Sequence, residues 1–178
     1  MTAEKKYKHM QIQSLFFIGA FVLLLGLNAC DRGPERNLYI VRHAEKIMTG
    51  DDPDLAEEGR LRAENLRKIL EDKDIRHVFS TPTIRTRATV APIARSKGVE
   101  IMEYDINDHD ALVDKIKTVD GDVLVVGHSN SIHHLANYFV GPGGEFEEIE
   151  DADYEGIYVA SINRNKAVRK TYREMMPN

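Results

Sequence analysis

The chain has 178 residues, of which 42% are hydrophobic and 30% are charged, a composition typical of one globular domain. Residues 1–29 contribute a net charge of +2 to the total of −5, so the rest of the chain carries −7. This balance lacks the basic excess that nucleic-acid binding requires. Cys30 is the single cysteine, which excludes an intrachain disulfide and a cluster of thiolate metal ligands.

The N-terminal segment has the pattern of a secretion signal. Lys5, Lys6 and Lys8 precede an uncharged apolar run over residues 15–27. As a helix this run would reach only about 20 Å, whereas the hydrocarbon core of a membrane is ~30 Å thick. The run is therefore typical of a signal peptide, and an uncleaved short anchor is the alternative.

The junction after this run predicts lipidation. Residues 27–30 read Leu-Asn-Ala-Cys and resemble a bacterial lipobox, in which the cysteine is lipidated and becomes the mature N-terminus. We predict a signal peptide over residues 1–29, a lipidated tether over residues 30–36 and one folded domain over residues 37–178. The lipid at Cys30 would hold this domain at a membrane of the bacterial cell envelope, on its periplasmic or outer surface.

The rest of the chain alternates apolar strands with amphipathic helices. Short apolar runs predict strands over residues 38–41, 75–79, 100–104, 122–126, 157–162 and 167–173, with a hairpin turn between the last two. Helical spacing of apolar residues predicts helices over residues 54–72, 83–97, 108–119 and 129–139. Asp54 and Asp108 are expected to cap the first and third helices, and Pro92 to kink or interrupt the second. The alternation indicates an α/β domain with a mostly parallel, buried sheet.

Polar residues follow the strands of this predicted sheet, at the edge where ligands bind in such folds. They are Arg42 and His43 after the first strand, Arg85 after the second, Glu103 and Asp105 after the third, and His128 after the fourth. Guanidinium groups match phosphate oxygens, and a neutral imidazole with an ordinary pKa of ~6.5 is a competent nucleophile. A nearby carboxylic acid can protonate the leaving alkoxide, so the set predicts phosphoryl chemistry without a metal or another cofactor.

Several segments carry a resemblance to the histidine phosphatase superfamily, which includes the cofactor-dependent phosphoglycerate mutases. Residues 42–45 (Arg-His-Ala-Glu) are similar to its Arg-His-Gly signature, and residues 80–89 to its second arginine segment. Residues 127–130 (Gly-His-Ser-Asn) are similar to its second histidine segment, and residues 55–59 to the opening of its first helix. The resemblance extends from Leu38 onward and implies a three-layer sandwich, with a mostly parallel central sheet flanked by helices.

The resemblance also implies a role for each matching residue. His43 would become the phosphohistidine, and Arg42, Arg85 and His128 would bind the phosphoryl oxygens. His128 would thereby act in catalysis as well as in binding.

The proton donor rests on a weaker pattern. Asp105 lies just past the third strand, where the acid of the family usually falls, and is the favoured donor. Asp108 and Glu103 are the alternatives, although Asp108 also suits a helix cap and strand alternation could turn Glu103 away from the site.

Two positions depart from the family's pattern. Ala44 replaces the signature glycine, a change that smaller members tolerate, and Arg62 stands where glutamine is common. Neither departure removes a charged group with a predicted catalytic role.

The predicted function is metal-independent hydrolysis of a small phosphorylated substrate. Phosphoglycerate mutase-type transfer and a non-catalytic phosphate-ligand-binding lipoprotein are the alternatives. Residues 127–131 also resemble the nucleophile elbow of an α/β-hydrolase, with Ser129 as nucleophile. No histidine follows His134 to complete that triad, which disfavours an esterase. The acidic run over residues 145–155 predicts a solvated loop that shapes substrate access.

Overall fold

A mixed sheet forms the middle layer of this protein. The computed structural model describes residues 34–177, so the predicted signal peptide and the predicted lipidation site at Cys30 lie outside the described residues. Within the described range, no helix has the length and apolar character needed to cross a membrane.

Six strands and five helices alternate along most of the described chain. The strands are β1 (Asn37–Arg42), β2 (Ile75–Ser80), β3 (Ile101–Glu103), β4 (Asp122–Gly127), β5 (Gly156–Ser161) and β6 (Lys166–Thr171). The helices are α1 (Glu57–Ile69), α2 (Ile84–Lys97), α3 (His109–Thr118), α4 (Ser129–Asn137) and α5 (Tyr172–Met175).

The strand order is β3-β2-β4-β1-β5-β6, with parallel pairing from β3 through β1. β5 runs antiparallel to β1, and β6 pairs with β5 in an antiparallel hairpin. This topology confirms the α/β prediction and its terminal hairpin. Arg42 pairs in register with Gly127, so the carboxyl ends of β1 and β4 meet at the centre of one sheet edge.

Both faces of the central strands are buried, which explains their continuous apolar sequences. Leu38 and Ile40 pack in one cluster with residues of α3 and α4. Tyr39 and Val41 pack in a second cluster with residues of α1 and α2. Each fully buried aliphatic side chain contributes about 1.5–3 kcal/mol, so helices are held on both sides of a rigid sheet and the three layers follow.

Three local predictions differ from the structure. The residue that precedes α1 is Ala56 and not Asp54, because the Asp54 carboxylate accepts from Leu55 N at 2.7 Å and from Arg60 at 2.6 Å. α2 is not interrupted at Pro92, where a kink stays a prediction; it runs to Lys97 and is ended by the left-handed backbone of Gly98 (φ +66°), the predicted stop. The final strand stops at Thr171, whose side chain caps α5. The predicted cap at Asp108 is confirmed, since its Oδ1 accepts from Ala111 N at 3.0 Å.

Candidate active site

One cavity of about 640 Å³ lies at the edge where β1 and β4 end. His43 N donates to Gly127 O at 2.9 Å, which holds the end of β1 against the end of β4. The residues that line the cavity come from five separate parts of the chain: Arg42, His43, Lys46, Arg85, Ile106, His128, Ser129, Asn130, Glu148, Ile149 and Asp151. The predicted residues Arg42, His43, Arg85 and His128 are therefore brought together.

The His43 imidazole is nearly fully buried and is oriented by its own backbone. Its Nδ1 lies 2.8 Å from Ala44 O, and because a carbonyl only accepts, Nδ1 must carry the proton of the neutral ring. The lone pair then lies on Nε2. This is the tautomer that a nucleophilic histidine needs.

The His128 ring lies against His43, with 5.4 Å between ring centroids. Arg85 Nη2 lies 3.4 Å from His128 Nδ1, and Thr81 Oγ1 lies 3.0 Å from His128 Nε2. Since guanidinium can only donate, His128 Nδ1 is the acceptor and Nε2–H donates to Thr81. Arg85 also donates to Asp52 Oδ1 at 3.2 Å, which balances its charge.

Residues 145–155, called the acidic loop, hold the Arg42 guanidinium through hydrogen bonds and a stacked ring. Arg42 Nη1 donates to Asp151 O at 2.6 Å, and Nη2 donates to Asp151 Oδ1 at 3.2 Å. Ser129 Oγ donates to the same Oδ1 at 2.8 Å, and the Tyr154 ring centroid lies 4.3 Å from Arg42 Cζ. The arrangement presents a rigid cation to the cavity.

The acidic loop supplies three cavity residues that sequence reasoning did not single out. The sequence predicts a solvated loop that shapes substrate access, and Glu148, Ile149 and Asp151 of this loop line the cavity. Asn137 anchors the loop by accepting from Phe146 N at 2.8 Å and donating to Phe146 O at 3.0 Å. The acidic run itself was the available signal, although nothing local indicates which of its carboxylates turns inward.

The predicted proton donors do not line the cavity. Asp105 Oδ1 accepts from both N and Nδ2 of Asn107, at 2.9 and 3.1 Å. Glu103 forms an ion pair with Arg87, and Asp108 caps α3. The predicted role of Asp105 as proton donor stays a prediction. Glu148 and Asp151 are the lining carboxylates, and Asp151 is already paired with Arg42.

No group of three or more His, Cys, Asp or Glu side chains within residues 34–177 is placed to hold a metal ion.

A known protein family matches the first segment of the chain that contributes to this site. Residues 38–108, which include Arg42, His43 and Arg85, match the family model of the histidine phosphatase superfamily, branch 1. Over these residues the match agrees with the resemblance seen in the sequence. His128 follows the matched segment and joins it through the pairing of β1 with β4.

Solved structures are similar in fold across the whole sheet. The protein histidine phosphatase SixA, complexed with tungstate, has a TM-score of 0.63 at 13% identity and covers 78% of this chain and 99% of its own. A putative phosphohistidine phosphatase SixA from Agrobacterium tumefaciens has a TM-score of 0.55 at 20% identity, covering 75% and 94%. A phosphoglycerate mutase from Bacillus anthracis str. Sterne has a TM-score of 0.57 at 16% identity, covering 79% and 93%. At such identities these likenesses show the fold. No curated protein matches the chain.

Both imidazoles of the candidate active site resist protonation. Burial lowers the pKa of His43 to about 4, helped by the charges of Arg42, His128 and Arg85 and opposed by the Ala44 hydrogen bond. Burial together with Arg85 and Arg42 also lowers the pKa of His128 to about 4. At neutral pH both rings are therefore neutral, and His43 keeps its nucleophilic lone pair.

These low pKa values predict an acid-sensitive fold. The unfolded chain protonates both imidazoles near pH 6.5, but the folded chain does so only near pH 4, so the unfolded state binds more protons between these values. Stability is fully present above about pH 6.5 and falls as the pH drops toward 4, by at most about 1.4 kcal/mol per pH unit for each ring. Urea unfolding at pH 7 and pH 5 should show a smaller loss for His128→Asn than for the wild type. Equal losses would contradict the low pKa of His128.

Proposed function

We propose that this protein is a metal-independent phosphatase that hydrolyses phosphate monoesters through a phosphohistidine on His43. The observation that carries the proposal is the placement of a neutral, Nδ1-protonated His43 between two guanidinium groups and a second imidazole in one cavity. The family match over residues 38–108 supports a phosphatase of this type.

The proposed reaction has two displacements at phosphorus. His43 Nε2 attacks the phosphorus, the N–P bond forms, and the P–O bond to the alcohol breaks as the leaving oxygen takes a proton from a carboxylic acid of the protein. Water then gives a proton back to that carboxylate as it attacks the phosphohistidine, the N–P bond breaks with its electron pair returning to Nε2, and inorganic phosphate leaves. Each displacement moves negative charge onto the three phosphoryl oxygens, where fixed donors lower its energy.

Arg42, Arg85 and His128 are the proposed donors to those oxygens. Arg42 and Arg85 stand on different elements, so their positive charges approach the phosphoryl group from two directions. His128 already carries its proton on Nε2, which donates to Thr81 in the absence of substrate. A modest turn of the ring would direct that proton to a phosphoryl oxygen instead.

The function is tested by mixing the detergent-solubilised full chain with a ³²P-labelled aryl phosphate and quenching in alkali, where phosphohistidine persists. We expect label on His43, released as inorganic phosphate, with equal rates in the presence and absence of a chelator. Label transferred to an added sugar acid would favour the mutase-type alternative. Binding of phosphate without any labelling would favour a non-catalytic protein.

The identity of the proton donor gives a separate prediction. Asp105 is the donor proposed from the resemblance, but Glu148 lines the cavity and forms no ion pair or hydrogen bond within residues 34–177. We therefore expect Glu148→Gln to slow hydrolysis of an alkyl phosphate about 10²-fold or more and that of an aryl phosphate far less, since aryl leaving groups need little protonation. Turnover of both esters measures this ratio.

Two matched variants complete the comparison. Glu147→Gln changes a neighbouring carboxylate that does not line the cavity and should leave the ratio unchanged. A larger change in the ratio for Asp105→Asn than for Glu148→Gln would restore Asp105 as the donor.

We also propose that the domain is lipid-anchored through Cys30 in the bacterial cell envelope. The basic start, the short apolar run and the lipobox-like junction support this proposal. Mass spectrometry of the membrane fraction should find a lipidated peptide that begins at Cys30. An unmodified chain beginning at Met1 would refute the anchor.

A further inference from the structure

The Arg62 guanidinium joins three segments around the candidate active site. It projects from α1, and its side chain is only 18% exposed. Its Nε lies 3.0 Å from each Glu45 carboxylate oxygen, and Nη2 lies 2.7 Å from Oε1. Its Nη1 lies 2.7 Å from Glu155 Oε1, and its Cζ lies 5.0 Å from the Tyr172 ring centroid. Arg62 thus uses all three nitrogens on two carboxylates.

One set of contacts made by Arg62 leads to the His43 imidazole. Glu45 shares a peptide unit with Ala44, whose carbonyl accepts from His43 Nδ1. The other side of that segment is also fixed, because Glu45 O accepts from Ala56 N at 2.9 Å. Arg62 holds the side chain of Glu45 while Ala56 holds its backbone. The carbonyl that sets the tautomer of the nucleophile is thereby held in place.

Close packing of α1 against the segment that contains Glu45 supports the contacts between Arg62 and Glu45. A Cβ at Gly59 would lie only 2.1 Å from Glu45 O, so the helix approaches the signature segment as closely as a glycine permits. The position of Arg62 relative to Glu45 is therefore set by backbone contact and not only by side-chain conformation.

A second set of contacts made by Arg62 leads to the Arg42 guanidinium. Glu155 ends the acidic loop and directly follows Tyr154, whose ring stacks on Arg42 at 4.3 Å and lies 6.1 Å from the His43 ring. Glu155 O also accepts from Tyr172 N at 3.0 Å, which ties this end of the loop to α5. By holding Glu155, Arg62 fixes the segment that places Tyr154 over the site.

The cluster is charged throughout the neutral range. Burial alone would raise the pKa of Glu45, but hydrogen bonds and charge from Arg62 lower it below its usual value. Burial alone would lower the pKa of Arg62, but Glu45 and Glu155 raise it. Partly buried, bidentate pairs of this kind hold their geometry better than exposed pairs.

We propose that Arg62 is a positioning residue for the proposed phosphatase reaction, acting on His43 through Glu45 and Ala44 and on Arg42 through Glu155 and Tyr154. The inference rests on the proposed function. The proposal assigns a role to a residue that neither lines the cavity nor contacts the phosphoryl group.

The test uses the full chain with Arg62→Met, Arg62→Lys, Glu45→Gln and the double variant Arg62→Met/Glu45→Gln. A displacement of the nucleophile by a fraction of an ångström should lower kcat on an aryl phosphate about 10-fold to 100-fold, with KM changed less than about threefold. Arg62→Lys should retain part of the activity, since it keeps the charge but loses the bidentate contact. The double variant should lose no more than either single variant, because the two residues act as one unit.

Arg67 offers a matched control on the same helix. It pairs with Glu64 and Glu71 on the exposed surface, and Arg67→Met should keep kcat within about twofold. Rates are normalised to sites titrated by phosphoenzyme formation, which removes any effect of a smaller folded fraction.

Three outcomes overturn the inference. Unchanged kcat per titrated site in Arg62→Met would leave Arg62 a structural residue, as would losses that add in the double variant. A change in KM alone would mean that Arg62 affects binding and not the nucleophile.

If Arg62→Met does not fold, Glu45→Gln and Arg62→Lys decide the same question. A wild type that forms no phosphoenzyme would overturn the proposed function itself, whereas a labelled wild type matched by its variants would overturn only the role of Arg62.

Discussion

Replacing His43 by alanine is expected to abolish hydrolysis of an aryl phosphate, with a loss of about 10⁴-fold or more. His43 is buried at the end of β1, and its Nδ1 contact with Ala44 O leaves Nε2 as the nucleophilic atom. His128 does not replace it, because its Nδ1 faces Arg85 and its Nε2 carries a proton. Labelling with ³²P should find no phosphoenzyme in the variant.

A second histidine variant separates this effect from general damage. His77 lies on β2 beside Asp120, away from the cavity, and His77→Ala should keep full activity. Folding of His43→Ala is checked by thermal unfolding. Phosphate release that survives the loss of His43 at more than about one hundredth of the wild-type rate would contradict the mechanism.

Arg42→Lys is expected to lower kcat/KM for the same substrate by about 10²-fold to 10³-fold, the usual cost of losing one fixed donor to the transition state. Lysine keeps the positive charge but has a single nitrogen. It cannot reach the Asp151 backbone and carboxylate while also facing a phosphoryl oxygen, as the two-sided guanidinium can. The inhibition constant of inorganic phosphate should weaken as well.

Stability should fall together with activity in this variant. Loss of the Arg42 contacts removes partly buried hydrogen bonds to the Glu150 and Asp151 carbonyls, at a cost of about 0.5–1.5 kcal/mol each in the free energy of unfolding. Arg87→Lys is the matched control, because Arg87 pairs with Glu103 outside the cavity. Activity of Arg42→Lys within about threefold of the wild type would show that Arg42 does not bind the phosphoryl group.

The sequence alone predicts that four residues lie together at one edge of the sheet, because their placement depends on a regular topology. They are Arg42, His43, Arg85 and His128. Continuous apolar runs such as residues 122–126 indicate strands buried on both faces, and such strands run parallel with their carboxyl ends at one edge. Residues that directly follow those strands must then lie near one another.

The element boundaries were less predictable where side chains have competing partners. Asp54 has the sequence pattern of a helix cap, but Arg60 and the Leu55 amide occupy its carboxylate, and α1 begins after Ala56. Asp108 has the same type of pattern with no rival partner within residues 34–177, and there the cap forms.

The sequence by itself determined the α/β class and the residue types at the strand ends, since apolar periodicity and short motifs are local properties. The tertiary structure alone decided which carboxylates face the cavity. Asp151 contacts Arg42 across 109 positions of sequence, and Glu155 contacts Arg62 across 93 (155 − 62). Such contacts depend on how a loop docks, through the Asn137–Phe146 hydrogen bonds and the packing of Phe146 on Tyr158. Docking of that kind is a sum of long-range interactions, and no local pattern in residues 145–155 encodes it.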